Sequence, residues 1–403
     1  MRALSLGVIE GDADVVTGVD VDSRRIRRGD LFVAVSGGDA FLDDARARGA
    51  AATLVPDDAF AALAALGSAV RDRSEARVVA ITGSVGKTST KDILAALLRP
   101  HLRTVAAPDG FNNEIGLPLT LCRIEPETEV VVTEMAMRGP GQIRDLARIA
   151  RPHIGAITSI APVHLELLGS LENIARAKAE LLEELPTGAV AILPDDVPEL
   201  EPFVPEGLDV RRVAPPEAEV RDGRTRVRWH DRDVVFDFAA LHQAANAAAA
   251  LTAAEALGVE PPQEPVEVVF SRWRSQETEL PGGGLLINDA WNANPVAMRA
   301  ALTHLAERAD GRRTVAILGD MAELGADAPH YHREIAENAA GIDFVLGVGE
   351  LARSYEPHEW VATAAEAVDA ALRLVRPGDA ILVKGSRSVG LEVVAEALTR
   401  PGP

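Results

Sequence analysis

Short apolar, β-branched runs recur along the chain, and most are followed by a polar turn and a stretch with helical spacing. RVVAIT (77–82) leads into GSVGKTSTKDILAALL, EVVVTEMAM precedes QIRDLARIA, and IGAITSI precedes SLENIARAKAELLEEL, with AVAIL next. Strands alternating with helices predict a mostly parallel sheet covered on both faces. Before this region, residues 1–72 hold strand-like VVTGVDV and DLFVAV, one helical stretch (FLDDARARGA) and TLV. That segment is small for an independent domain. After it, residues 207–238 switch to short alternating runs (TRVRWH, DVVFDF), which predict an antiparallel extension. A helix over 242–257 ends at Gly258, and PPQEP (261–265) reads as a linker. LLINDA, TVAILGD, DFVLGVG and AILVKG then alternate with helices again. The expected fold class is therefore α/β, in three domains over 1–72, 73–264 and 265–403.

The sharpest local signal is Thr82-Gly83-Ser84-Val85-Gly86-Lys87-Thr88-Ser89, between an apolar strand and a helix. A Gly-rich turn entering a helix N-terminus aims several N–H groups and the helix dipole at one spot, where phosphate is the natural occupant. Lys87 would then contact the outer phosphates and Thr88 would hold Mg²⁺. The general P-loop asks for a further Gly five residues before Gly86, and that position is Ile81. By that strict pattern the match fails, and a glycine connection that merely caps a helix stays open.

Three further residues gain meaning beside a nucleotide. Glu134 ends the apolar run VVVTE, and an acid leaving the carboxyl end of a parallel strand points into the crevice where open α/β sheets bind ligands. It is a candidate metal ligand or a solvated strand-end acid. His164 lies in the loop APVHLELLGS and by itself reads as a loop histidine. Lys178 falls on the stripe made by Ile174, Leu181, Leu182 and Leu185. A lysine there is costly unless its charge is paired or removed. Either its stem packs while its amine reaches water, or it sits in a site with a lowered pKa.

In the last third, Asn288-Asp289-Ala290-Trp291-Asn292-Ala293-Asn294-Pro295 ends a strand and opens a helix. Asp289 can bind ribose hydroxyls and Trp291 can stack on a base. Asn294 and Pro295 also have the chemistry of a helix start. Arg274, just before this strand, can neutralise a phosphate, while LGDMAELG (318–325) and LVKGSRS (382–388) put polar groups at other strand ends.

Charge narrows the partners. The formal charge is −20, from 61 acidic and 41 basic residues, which argues against nucleic acid or an anionic membrane as the main partner. Cys122 is the single cysteine, so no intramolecular disulfide is possible, consistent with a reducing compartment. MRALSLGVIEGDADV lacks an apolar core behind a basic cluster, and no apolar run approaches the about 18 residues of a membrane span. No signal peptide and no membrane insertion are expected, and the expected compartment is the cytoplasm.

Taken together, DSRRIRRGDLFVA, TGSVGKTSTKD, GFNNEIGLPLTL, EMAMRGPGQI, PVHLELLGSLENIARAKAEL, HQAAN, NDAWNANPVAM, ILGDMAELG and VKGSRSVGLE resemble the Mur ligase family, in order from about residue 19 to 392. That family's phosphate loop is the shortened TGxxGK[ST] form, which removes the misfit at Ile81. GFNNEIGLPLTL, LGDMAELG and NDAWNANP resemble most the member that joins D-alanyl-D-alanine to a UDP-muramoyl tripeptide, rather than relatives such as the folylpolyglutamate synthases. The resemblance implies an N-terminal domain for the UDP-sugar, a central P-loop domain for ATP, and a C-terminal Rossmann-like domain that brings the amine. It implies an ADP-forming amide ligase of peptidoglycan synthesis, acting through an acyl phosphate with ATP and Mg²⁺ on small-molecule substrates, as a monomer. A Mur-type ligase for another acid or amine, or an inactive nucleotide-binding homologue, stays open.

Residue by residue, the resemblance gives Gly83 to Ser89 to the ATP phosphates, and Asn246, Arg274, Asp289 and Trp291 to adenine, phosphate and ribose. It gives Thr88, Glu134 and His164 to the metal, and Lys178 to a carbamylated lysine beside it; Lys87, Glu134, His164 and Lys178 are the expected catalytic set. Ser23, Arg24, Asn112, Asn113, Asn292, Asn294, Lys384, Ser386 and Arg387 are implied in substrate binding. Two departures stand out: DAFLDD follows LFVAVSGG where the family has a DGH-containing loop, and Trp291 stands where it usually has Tyr.

Overall fold

A computed structural model describes residues 6–11, 13–163 and 165–400. The central sheet has six parallel strands in the order Asp209–Val213, Val190–Pro194, Ile154–Ile157, Arg77–Thr82, Val130–Glu134, Thr104–Ala106. From Arg77–Thr82 the chain first builds one side of the sheet and then returns to build the other. The strand order therefore reverses there, and a crevice opens at the carboxyl end of that strand. The helix Lys87–Leu98 follows immediately and packs on the Ala-rich helix Ala244–Ala256, with Ile93, Leu94 and Leu97 against Ala247, Ala250 and Ala254. Small side chains let these two helices approach closely, which brings Asn246 to the start of the first.

A second six-stranded sheet runs Gln276–Leu280, Gly284–Asp289, Ala380–Lys384, Thr314–Gly319, Phe344–Val348, Glu359–Val361. Its first pair is antiparallel and the rest are parallel. Asp289, Asp320 and Lys384 thus gather at one edge, as the alternation of strands and helices predicts. Asn294 caps the helix Pro295–Ala309, its side chain accepting from the Ala297 amide at 2.9 Å.

The expected antiparallel extension is narrower than its sequence range. Ala218–Arg221, Arg224–Trp229 and Arg232–Phe236 form a three-stranded antiparallel sheet, whereas Asp209–Val213 lies parallel on the edge of the central sheet. The expected helix over 242–257 is a 3-10 turn, Leu241–Gln243, followed by the helix proper.

The N-terminal sheet has the order Gly7–Glu10, Ala52–Pro56, Leu31–Val33, Val19–Asp20. Beside the short helix Leu42–Ala47 stands a longer one, Ala59–Arg71, absent from the sequence reading. This unit does not close a core alone. Leu31, Val33, Leu54, Leu63 and Leu66 pack with Leu119 and the partly buried Phe111 and Ile115, all three from GFNNEIGLPLTL in the central unit. Leu119 is 2% exposed. Leu119→Ala should lower the unfolding free energy by about 2–5 kcal/mol in chemical denaturation. A loss under about 1 kcal/mol would mean that the two units do not share this core.

Candidate active site

The glycine turn after Arg77–Thr82 is stapled to the end of the neighbouring strand. The Ser84 amide donates to Ser159 O at 2.9 Å and the Val85 amide to Ser159 Oγ at 2.8 Å. The Ser84 hydroxyl donates to Ala161 O at 3.1 Å and accepts from the Ala161 amide at 2.9 Å. Both glycines are required by contact. A Cβ on Gly83 would lie 2.0 Å from Thr158 Oγ1, and one on Gly86, which has φ 87°, would lie 2.1 Å from Asn246 Oδ1. The turn therefore presents backbone, with Lys87 and Thr88 opening the helix behind it.

Two lysines converge on one carbonyl of this turn. Lys87 Nζ donates to Gly83 O at 2.8 Å, and Lys178 Nζ donates to the same oxygen at 2.9 Å. Lys178 is 2% exposed, on the buried face of the helix Leu171–Glu183 with Ile174, Leu181 and Leu182. Burial, and then the neighbouring Lys87 charge, hold its amine well below the ordinary lysine range. The amine that its spacing puts on an apolar stripe stays inside and does not reach water. Burial also lowers Lys87, against the opposing pull of Glu134, with Arg274 adding to the descent.

Glu134 is 3% exposed at the end of Val130–Glu134. Burial alone would raise its carboxyl, but Lys87, Arg274 and a 2.8 Å hydrogen bond from Asn112 Nδ2 outweigh it, so the group sits below its ordinary value and stays ionised. Arg274 Nη2 donates to Thr88 Oγ1 at 3.1 Å, and its guanidinium lies 5.4 Å from the Trp291 ring centroid. On the opposite wall Asp289 accepts the Ser275 amide at 3.1 Å and is ion-paired to the buried Lys384, which also donates to Asn292 O at 3.0 Å. A carboxylate has about four lone-pair sites, so these contacts leave acceptor capacity for ribose hydroxyls.

These groups enclose a cavity of about 570 Å³. Its walls take in Ser84 to Ser89, Asn112, Asn113, Glu134, Asn246, Arg274, Asp289, Trp291, Asn292, Asn294 and Lys384. Lys178 stands behind it, touching the turn through Gly83 O. Other expected site residues lie elsewhere. Ser386 is buried and accepts the Ala322 amide at 2.8 Å, joining the LGDMAELG and VKGSRS loops. Arg387 lies 4.8 Å from the ring centroid of Trp273 and pairs with Glu392. Ser23 and Arg24 occupy the 3-10 turn Ser23–Arg25, where Arg24 pairs with Asp22, and none of the described residues of the N-terminal unit lines the cavity. His164 falls outside the described residues. The sequence reading missed His242, Gln243, Thr158 and Ser159 as wall residues; HQAAN and IGAITSI held them, without a spacing that marks them.

The donor set suits magnesium. The Thr88 hydroxyl and an ionised Glu134 carboxylate face the cavity, both hard oxygen donors of the kind that ion takes. Among the described residues no group of three or more His, Cys, Asp or Glu side chains is placed to hold a metal by itself. Phosphate oxygens and water complete a magnesium shell in sites of this type.

Residues 81–254 match the Mur ligase middle domain, and residues 272–387 match the Mur ligase glutamate ligase domain. The UDP-N-acetylmuramoyl-tripeptide–D-alanyl-D-alanine ligase of Mycobacterium bovis is 35% identical over 95% of this chain and 92% of its own length. The chain belongs to the Mur ligase family. Its likeness to the Escherichia coli enzyme of the same name is 33% over 98% of this chain and 96% of that one. The MurF ligase of Thermotoga maritima, solved in complex with ADP, superposes with a TM-score of 0.82 at 27% identity, covering 96% of this chain and 98% of that one. The likeness spans both six-stranded sheets that bound the cavity.

His242 gives this site a pH signature. Its ring lies 5.1 Å from that of His304, and its Nδ1 is buried without a hydrogen-bond partner among the described residues. Burial first, then the His304 and Lys384 charges, pull it from 6.5 down to about 4, against Asp289 and Glu277. The unfolded chain protonates this histidine near 6.5 and the folded one only near 4. Stability is therefore lost as pH falls through that window. Thermal unfolding between those limits should show a shallower pH slope in His242→Gln than in the unaltered protein; identical slopes would contradict the assignment.

Proposed function

We propose that this chain joins the terminal carboxylate of a UDP-N-acetylmuramoyl tripeptide to the amine of D-alanyl-D-alanine, converting ATP to ADP and phosphate in peptidoglycan synthesis. The observation that carries this reading is a single cavity with a phosphate-binding turn on one wall and the carboxyl edge of a second α/β sheet on the other. The triphosphate lies along the amides of residues 83–88, at the N-terminus of Lys87–Leu98. Asn246 braces that turn, and Asp289 and Trp291 hold the nucleoside from the facing wall.

A carboxylate and a triphosphate repel each other, so attack on the γ-phosphate requires nearby cations. Lys87 and Arg274 are the ones placed for this, and Lys87 leaves Gly83 O for phosphate oxygen as the nucleotide enters. Thr88, Glu134 and His164 would hold magnesium, which would supply further charge neutralisation there. The acyl phosphate is then attacked by the dipeptide amine, phosphate leaves, and the amine proton passes to solvent. Closure of this open cavity over the substrates would keep water from hydrolysing the acyl phosphate. In its deprotonated form Lys178 adds to CO2 and loses a proton, which turns a would-be cation into a carbamate anion near the metal site.

We assign residues 1–72 to UDP-sugar binding, 73–264 to ATP binding and 265–403 to delivery of the amine. Asn112, Asn113, Asn292, Asn294 and Lys384 are the wall residues proposed to hold the two peptide substrates, and Ser23, Arg24, Ser386 and Arg387 hold their outer portions. No helix among the described residues is long and apolar enough to cross a membrane. We assign the chain as a monomer, and the proposed substrates are those of a cytoplasmic step.

Phosphate release tests the reading. It should require ATP, the UDP-muramoyl tripeptide and D-alanyl-D-alanine together, and Lys87→Ala should lower kcat by about a hundredfold or more with an unchanged melting temperature. Full turnover with another acid or amine, and none with this pair, would move the chain to a different specificity within the family. Turnover retained in Lys87→Ala would remove this residue from the mechanism.

A further inference from the structure

The segment that carries Arg274 is held at both ends and strained between them. At its start Asp92, on the phosphate-loop helix, accepts the Ser271 amide at 2.8 Å on Oδ2 and the Ser271 hydroxyl at 3.3 Å on Oδ1. Lys91, its neighbour on the helix, is paired with Asp92 at 2.8 Å and donates to Ala107 O at 2.9 Å and Ser271 Oγ at 3.3 Å. The pair is nearly all buried, with side chains 3% and 10% exposed. At the other end the Ser275 amide donates to Asp289. Within this segment Trp273, and Ser275 at its second anchor, adopt left-handed backbone, with φ 58° and 49°. Such conformations cost about 1–3 kcal/mol each and persist only where the surroundings impose them.

We propose that Asp92 is a positioning residue of this ligase, anchoring Ser271 so that the strained turn lays the Arg274 guanidinium across the phosphate loop. Arg274 is the output of that turn: Nη2 reaches Thr88 Oγ1, and Nε is buried without a partner among the described residues, leaving a donor for a bound phosphate. Neither Lys91 nor Asp92 lines the cavity, so both act at a distance, through Ser271. The arrangement refers two phosphate-binding elements to one rigid body. The helix Lys87–Leu98 offers Lys87 and Thr88 at its first turn and fixes Arg274 from its second. A misplacement of about 1 Å in such a group costs on the order of a hundredfold in rate, which gives the anchor its importance.

The inference rests on the proposed ligation only for its substrates, because the anchor acts already in nucleotide binding. The test is a double-mutant cycle read as affinity for a non-hydrolysable ATP analogue with Mg²⁺, by calorimetric titration. Asp92→Ala and Arg274→Ala should each weaken binding by about tenfold, the loss of one charge-assisted hydrogen bond. The double variant should bind within about twofold of Arg274→Ala alone, because a residue that acts through Arg274 has nothing left to position. Losses that multiply, or Asp92→Ala binding like the unaltered protein, would overturn the proposal. Should Asp92→Ala not fold, Ser271→Ala takes its place in the cycle. It leaves the Lys91–Asp92 pair intact, and its expected loss of about threefold must vanish in the Arg274→Ala background; an additive loss or none overturns the proposal equally. A non-additive cycle in a protein that releases no phosphate with its proposed substrates would sink the ligation reading and leave the anchor standing.

Discussion

The carbonyl oxygen of Gly83 accepts two lysine amines, Lys87 from the helix that follows it and Lys178 from a helix on another part of the sheet. Two full positive charges on one buried oxygen are not sustainable, since an uncompensated buried charge costs about 3–5 kcal/mol. Lys178, the more deeply enclosed, is the one that yields. That constraint fixes the back of the phosphate loop. Gly83 can accept both donors only with its carbonyl turned inward, away from the cavity. The tight contact of Gly83 with Thr158 and of Gly86 with Asn246 locks the same orientation from the sides. Exposed loop amides on the front and an amine held well below the ordinary lysine range on the back are two consequences of one geometry.

The facing wall is held by a parallel economy of charge. Asp289 ties the segment before it, through Ser275, to the last strand of the second sheet, through Lys384. At the rim, the LGDMAELG loop leans on the central unit: Gly325 packs against Glu166, whose amide donates to Glu323 O at 3.4 Å, and Arg138 approaches Glu323 at 4.0 Å. The cavity is thus bounded by contacts between two sheets that carry separate cores. Movement of one sheet relative to the other would carry Asp289 and Trp291 past a phosphate loop to which Arg274 stays tied through Ser271 and Asp92.

Most of this architecture was legible in the sequence because its strands are buried on both faces. RVVAIT, VVVTE, IGAI, LLIND, TVAILG and AILVK are near-continuous apolar runs that only a covered parallel sheet explains. Edge strands such as Thr104–Ala106, Asp209–Val213 and Glu359–Val361 are short and half-exposed, so their composition resembles loop. The helix Ala59–Arg71 escaped because its Ala-rich stretch has no clear polar face. In the site, Lys178 could be singled out because a lysine on an apolar stripe violates a periodicity. Ser159 and Thr158 could not, since they serve the loop through contacts made only when two strands lie side by side. Asp92 looks like any polar residue on a helix until Ser271, far along the chain, is seen to meet it.

The shared grip of two lysines on Gly83 O stands or falls with the state of the Lys178 amine. Its titration can be followed by NMR of the side-chain nitrogen and adjacent carbon in CO2-free buffer, with Lys178→Ala as the assignment control. The amine should titrate well below the ordinary lysine range, and a carbamate carbon signal should appear when labelled bicarbonate is added. A Lys178 that titrates like a surface lysine and takes up no label would contradict that shared grip.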